Sequence, residues 1–182
     1  MRPRAIDAPV DGLRSAYRWV VADVSPDLDG AHDTGSVEVD ERHHLTLTTV
    51  RNAAAVAVIV RPGPTGVHRG AALVRDLLGA GVEPSRVVAV VNRSPRSPAA
   101  RAELGRALAQ LAGDGPATVV HVPTMRGLDA RIHTDGRVPV ALGRPVAAAV
   151  VAAVERAGAV EPSGAPERIV PGSLGSLAEE TS

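Results

Sequence analysis

Four short, Val-rich apolar runs lie along the chain, and segments with helical spacing separate them. The runs are Trp19 to Val24, Ala55 to Val60, Val87 to Asn92 and Thr118 to Val122. Few polar residues interrupt them, a pattern typical of strands that are covered on both faces. They recur at roughly 30 to 37 residues, the length of a βα unit. The pattern predicts an α/β fold, a Rossmann-like parallel sheet with flanking helices and right-handed crossovers.

The segments between the runs carry helix start and stop signals. Ser97 followed by Pro98 is typical of an N-cap and a first helical residue. Pro145 is in the same way expected to open the last helix, because proline is well tolerated in a first turn. The predicted helices are Val37 to Asn52, Val67 to Leu78, Pro98 to Leu111 and Pro145 to Gly158.

Composition excludes several classes of site. The formal net charge of zero gives no electrostatic reason to expect nucleic acid as a partner. There is no Cys, so no disulfide or thiolate site can form. All basic residues are Arg, and the abundance of Ala, Val, Gly and Pro is typical of a GC-rich bacterial genome. Without Lys, the chain cannot form a P-loop of the form G-x-x-x-x-G-K-[ST].

No apolar run approaches the ~20 residues that a membrane span requires. The N-terminal residues also lack the apolar core of a signal peptide. We therefore expect no integral membrane segment and a cytoplasmic location.

The candidate chemistry follows the apolar runs. Asp23, Arg61, Asn92 and Pro123 each stand at or just after the end of a run, and ligands of open α/β sheets bind at the carboxyl ends of strands. Asp23 is placed as a Walker B carboxylate that holds Mg²⁺ directly or through water, or else it caps its own loop. The Asn92 amide can pair with an adenine edge, or it can form an Asx turn.

The segment from Asp23 to His44 is rich in acidic residues and His. Carboxylates and imidazoles can ligate a divalent cation, but no H-E-x-x-H or comparable spacing is present. We interpret the segment as a solvated loop, with a small metal-dependent hydrolase as the other reading. His68, His121 and His133 are isolated in the sequence and are expected to serve packing or the surface.

The order of these motifs resembles a known family. From about Tyr17 to Gly158 the chain resembles the C-terminal part of the MinD/ParA family of deviant P-loop ATPases. The matching elements are Trp19 to Asp23 as the Walker B strand, Ala55 to Val60 as the next strand, Val88 to Arg93 as the adenine-side strand and Val120 to Pro123 as the last. The resemblance implies that Asp23 lies near Mg²⁺ and that Asn92, Arg93 and Pro123 contact the nucleotide.

The chain departs from that family in its phosphate-binding half. The Gly-rich loop and both family Lys residues have no counterpart, and Asp23-Val-Ser-Pro-Asp27 replaces the usual switch sequence. The resemblance therefore implies an incomplete P-loop NTPase-like domain that is inactive alone and acts as an interaction or regulatory module or a fragment. The alternative is the C-terminal half of an ATPase for chromosome partitioning or for pilus or septum positioning. Such an ATPase would bind ATP and Mg²⁺ once an N-terminal half completes it.

The resemblance also implies a gap in the sheet. In that fold the P-loop strand lies between the strand ending at Asp23 and the strand Ala55 to Val60. Either the two strands pair directly, or the slot stays open and its Val-rich edges favour self-association. We expect the open slot, so the missing N-terminal half or a second copy of the chain is the expected partner.

The sequence divides into three parts. Residues 1–16 are predicted to be an N-terminal extension, residues 17–158 a MinD/ParA-like α/β domain without its P-loop, and residues 159–182 a disordered tail rich in Pro, Gly, Ser and Glu.

Deletion of Glu161 to Ser182 is predicted to leave the melting temperature almost unchanged, because its few apolar residues form no stripe that could dock. Limited proteolysis should remove this segment first. A sharp fall in melting temperature on deletion would show that the tail packs on the domain.

Overall fold

The computed structural model describes residues 12–13, 15–26, 37–113, 115–128 and 138–158. Three strands form a parallel sheet in the order β1-β2-β3, with β2 in the centre. The strands are β1 (Val56–Val60), β2 (Val87–Ser94) and β3 (Thr118–Pro123). This confirms a mixed α/β fold with a parallel sheet flanked by helices.

Helices alternate with the strands along the chain. They are α1 (Val37–Asn52), α2 (Pro64–Gly79), α3 (Pro98–Ala112) and α4 (Val140–Arg156), with a 3₁₀ turn at Pro84–Arg86. Ser97 caps α3 as predicted, since its hydroxyl accepts a hydrogen bond from the N–H of Ala100 at 3.4 Å. Most of the acidic and His-rich segment before α1 lies outside the described residues. The tail after Gly158 lies wholly outside them.

The start of the last helix was predicted wrongly. Helix α4 begins at Val140, so Pro145 lies inside it and not at its first position. Proline lacks the N–H that would bond to the carbonyl of Ala141, and its ring crowds that carbonyl. The apolar residues that follow are buried in the core at Ala149 and Ala153. We infer that this burial offsets the local cost of Pro145.

The central strand carries the core. The first five residues of β2, Val87 to Val91, are all buried, as expected for a strand covered on both faces. Helices α1, α2 and α3 contribute to a cluster that includes Ala89 and Val91. On the other face, Val88 and Val90 pack with α4.

Among the described residues, only one face of strand β1 is covered. Val58 and Val60 are buried in the cluster that contains the α2 residues, whereas Ala57 is exposed and Ile59 is 62% exposed. The prediction that this run is covered on both faces was therefore wrong. The physical reason is position in the sheet: β1 is an edge strand, and the α4 residues in the second cluster pack on β2 and β3.

The predicted Walker B strand does not form. Residues 19–25 are described, and none of them belongs to a strand. Trp19 is 55% exposed and Val21 is 91% exposed. A Val-rich run becomes a strand only when a neighbouring strand pairs with its backbone, and no described strand pairs with this one. Residues 24–159 form one compact unit, which leaves most of the run outside it.

Arg86 connects the end of α1 to the start of β2. Its guanidinium donates to the backbone carbonyls of Val50, Arg51 and Ala53. These carbonyls lie in or just after the last turn of α1, where no further helical N–H can pair with them. A cation near the negative end of a helix is also electrostatically favourable. Arg86 therefore fixes α1 at the end of the sheet opposite the carboxyl ends of the strands.

Helix α2 packs closely on the end of β1, and two glycines make the approach possible. A Cβ on Gly66 would lie 2.2 Å from the carbonyl oxygen of Arg61, and a Cβ on Gly70 would lie 2.7 Å from Val60 Cγ2. Both distances are far inside van der Waals contact. The chain therefore requires glycine at these two helical positions, because a larger residue would push α2 away from the strand.

We predict that Gly66→Ala lowers the free energy of unfolding by about 1–3 kcal/mol, because the new methyl group meets a backbone carbonyl. Gly105→Ala is the matched control, since a Cβ at this helical glycine of α3 would meet nothing within 4 Å. It should raise stability by roughly 0.5–1 kcal/mol through helix propensity. Chemical denaturation of both variants measures the difference. If both variants change the free energy of unfolding by the same amount in the same direction, α2 does not approach β1 as closely as described.

Candidate functional site

The carboxyl ends of the three strands bring several sequence-predicted residues to one edge of the sheet. Val60 pairs in register with Val91, and Asn92 pairs with Val122. Arg61 follows β1 and Asn92 lies within β2, so the two residues are at the same level on adjacent strands, and Pro123 ends the third strand. Adjacent strands lie about 4.8 Å apart. Arg61 and Asn92 are exposed, while Pro123 is partly buried. We call this edge the carboxyl edge.

Arg93 lies in a bulge of β2. The register shifts between Asn92, which pairs with Val122, and Ser94, which pairs with Pro123, so Arg93 has no partner on β3. Its φ is 58°, a left-handed conformation that a non-glycine residue seldom adopts. Bulges of this kind redirect side chains and are frequent beside binding sites. The bulge leaves the Arg93 side chain exposed at the carboxyl edge.

The bulge also directs Ser94 into the protein. Ser94 is 3% exposed, and its hydroxyl lies 2.8 Å from Nδ1 of His121 on β3. Nearby, Nε of Arg101 on α3 donates to the carbonyl of Pro95 at 2.7 Å. These two hydrogen bonds connect β2, β3 and the loop that leads into α3. No sequence motif pointed to Ser94 or Arg101, and His121 is isolated in the sequence.

A sequence signal for this pair was present but weak. Ser94 lies two residues after the predicted run Val87 to Asn92, and His121 lies within the predicted run Thr118 to Val122. Their contact depends on the one-residue bulge at Arg93, which moves Ser94 to the face that His121 occupies. Without the bulge, the alternation of a regular strand gives no basis for placing the two side chains together.

The environment of His121 disfavours its charged form. Burial lowers the pKa of His121 below its usual 6.5, and the positive charge of Arg101 lowers it further. A neutral imidazole has one N–H and one acceptor nitrogen. The Ser94 hydroxyl can donate to Nδ1 in the tautomer that carries its proton on Nε2. His121 is then a neutral hydrogen-bonding group near the carboxyl edge.

The carboxyl edge is basic in the described part of the chain. Four exposed arginines lie at or after the carboxyl ends of the strands: Arg61, Arg93, Arg96 and Arg126. No hydrogen bond or ion pair joins them to another described residue. The first turns of α2 and α3 contain no acidic residue, and the amino ends of helices favour anions. Among the described residues, this edge therefore carries a net positive charge.

Asp23 is not placed at this edge by a strand. It is exposed and lies in the segment without regular structure that precedes the compact unit of residues 24–159. The expected Mg²⁺ contact of Asp23 therefore remains a prediction from the resemblance. Among the described residues, no group of three or more His, Asp or Glu side chains is arranged to hold a metal ion. Residues 27–36 of the acidic segment lie outside those residues.

Comparison of the chain with protein-family models, with curated proteins and with solved structures found no match. The assignment to the MinD/ParA family thus depends on the motif order alone. None of the helices in the described part of the chain is long and apolar enough to cross a membrane.

The lowered pKa of His121 predicts how stability depends on pH. Below pH 6.5 the unfolded chain takes up a proton at His121 more readily than the folded chain does. The contribution of His121 to stability should therefore be complete above pH 6.5 and should decrease as the pH falls toward the lowered folded-state value.

Denaturation of the wild type and of His121→Gln between mildly acidic and neutral pH measures this contribution. The variant should show a smaller loss of stability on acidification. His68→Gln is the control, since it removes an exposed His of α2 and leaves the Ser94 contact intact. If the wild type and His121→Gln lose stability in parallel, the assigned role of His121 is wrong.

Proposed function

We propose that the chain is a MinD/ParA-like nucleotide-binding-fold domain without its phosphate-binding half, inactive as an ATPase alone, and that it acts as an interaction or regulatory module. The observation that carries this proposal is the free edge of β1. The sheet ends there with an apolar strand that has a neighbour on one side only among the described residues. In the family that the chain resembles, the P-loop strand lies on that side.

Parallel sheets are normally buried on both faces and continue on both sides of their central strands. Here Ile59 remains 62% exposed because no described helix packs over β1 on that face. An exposed apolar strand edge is a site for adding a further strand. A domain built in this way is suited to binding another polypeptide.

The strand-to-helix turn after β1 cannot replace a P-loop. It reads Arg61-Pro62-Gly63-Pro64-Thr65-Gly66 and contains no Lys. Pro64 stands at the start of α2, where it has no N–H to offer to a phosphate oxygen. P-loops bind phosphate through a series of backbone N–H groups and a Lys ammonium. This turn therefore supports the proposal that the chain alone does not hydrolyse ATP.

A second candidate function is a completed ATPase, in which a separate N-terminal half supplies the P-loop. The exposed amide of Asn92 favours it, since this residue lies at the carboxyl edge with the Arg93 bulge beside it. An amide can donate to and accept from an adenine edge. In this candidate, Asn92, Arg93 and Pro123 would contact the nucleotide, and Asp23 would contact Mg²⁺.

We predict that the isolated chain shows no micromolar binding of Mg·ATP in calorimetric titration and no phosphate release. The reason is that phosphate and Mg²⁺ contacts supply most of the binding energy at such sites, and a single base contact does not replace them. Micromolar affinity would contradict the proposal, as would phosphate release that disappears in Asp23→Ala.

Two comparisons separate the candidates. Binding of Mg·ATP that appears only with an added P-loop half, and weakens in Asn92→Ala, would favour the completed ATPase. Hydrolytic activity with Mg²⁺ or Mn²⁺ alone would instead favour the metal-dependent hydrolase that the acidic segment suggests.

A further inference from the structure

Among the described residues, the free edge of β1 has none of the features that protect edge strands. Natural edge strands are usually blocked by a charged residue, a Pro, a bulge or a covering helix. The strand Val56–Val60 reads Val-Ala-Val-Ile-Val, and its pairing with β2 is regular from end to end. The nearest charge is on Arg61, which follows the strand. This edge is therefore open to pairing with another strand.

The strand is complementary to a copy of itself. Rotation about a two-fold axis perpendicular to the sheet at Val58 sets two β1 strands antiparallel, with Ile59 of each copy opposite Ala57 of the other. Side chains directly opposite each other in an antiparallel pair have Cβ atoms about 4.5–5.5 Å apart. A large side chain thus faces a small one at both places. Both residues are exposed in the single chain, on the face where Ile59 lacks a cover.

Charge also favours this register. With Val58 at the axis, Arg61 lies opposite Ala55 of the second copy, and the two Arg61 residues are separated by six positions along the ladder. At about 3.4 Å per residue this is roughly 20 Å, well beyond the screening length of about 8 Å at physiological salt. An axis at Ile59 would place the two isoleucines directly opposite each other and bring the two guanidinium groups closer.

We propose that two copies of the chain associate through β1, paired antiparallel about a two-fold axis at Val58, so that a six-stranded sheet spans the dimer. The inference deepens the proposed interaction function and depends on it. A five-residue ladder buries less than the ~1,000 Å² typical of stable interfaces. The dimer is therefore weak and forms with increasing protein concentration.

Sedimentation of the full chain over micromolar to millimolar concentration tests the association. We expect a monomer–dimer equilibrium that Ile59→Lys and Ala57→Lys each weaken by about tenfold or more, since a like charge is then placed in each half of the ladder. Val140→Lys is the matched control, because Val140 is 72% exposed but lies on α4. It should leave the equilibrium unchanged.

Cross-linking tests the register. The chain has no Cys, so each introduced thiol reports on one position. Ala57→Cys and Ile59→Cys chains are mixed and oxidised. The disulfide between the two different variants should form faster than a disulfide between two copies of the same variant, because only opposite positions bring the two Cβ atoms close enough.

Several results would overturn the proposal. They are a monomer at all concentrations with a sharp unfolding transition, a dimer that persists unchanged in Ile59→Lys, and cross-linking of the two single variants with themselves in preference to each other. None of these results involves ATP. Failure of the dimer is therefore distinguishable from failure of the proposed function, which the nucleotide titration tests.

Discussion

The burial of β2 on both faces is the constraint on which the rest of the structure depends. A strand composed of Val and Ala over five residues is stable in water only if helices cover both faces and strands pair with both edges. Strands β1 and β3 supply the edges, and the helices on either side supply the faces. The same parallel arrangement places the ends of all three strands at one edge, where the exposed polar groups collect.

The carboxyl edge combines two chemically different environments. On one side, Asn92 and Arg93 are exposed beside Arg61, without acidic partners among the described residues. Within the protein, the buried Ser94 hydroxyl bonds to His121 at 2.8 Å, and the nearby Arg101 disfavours a second positive charge. The bulge at Arg93 separates the two environments, since it turns one side chain outward and the next inward.

The free edge of β1 differs from the carboxyl edge, because the strand there is apolar. There buried Val58 and Val60 alternate with exposed Ala57 and Ile59, the pattern of a strand that is covered on one face among the described residues. A sheet with a P-loop strand, or with a second copy of β1, would satisfy the same backbone groups. In the proposed function, the free edge of β1 binds by backbone pairing, whereas the exposed arginines of the carboxyl edge would attract a partner by charge.

Local patterns in the sequence determined the elements of this fold. The Val-rich runs at β1, β2 and β3 and the Ser97 cap are each specified by residues near in sequence, so periodicity and capping chemistry were sufficient to predict them. The absence of Lys likewise settled by itself that no P-loop Lys exists. Tertiary structure decided the rest. Trp19 to Val24 has the composition of a strand, but no described strand lies beside it, and a strand forms only where a neighbour pairs with its backbone. The contact between Ser94 and His121 also arose from pairing, since it requires a register shift between two strands that no local pattern encodes.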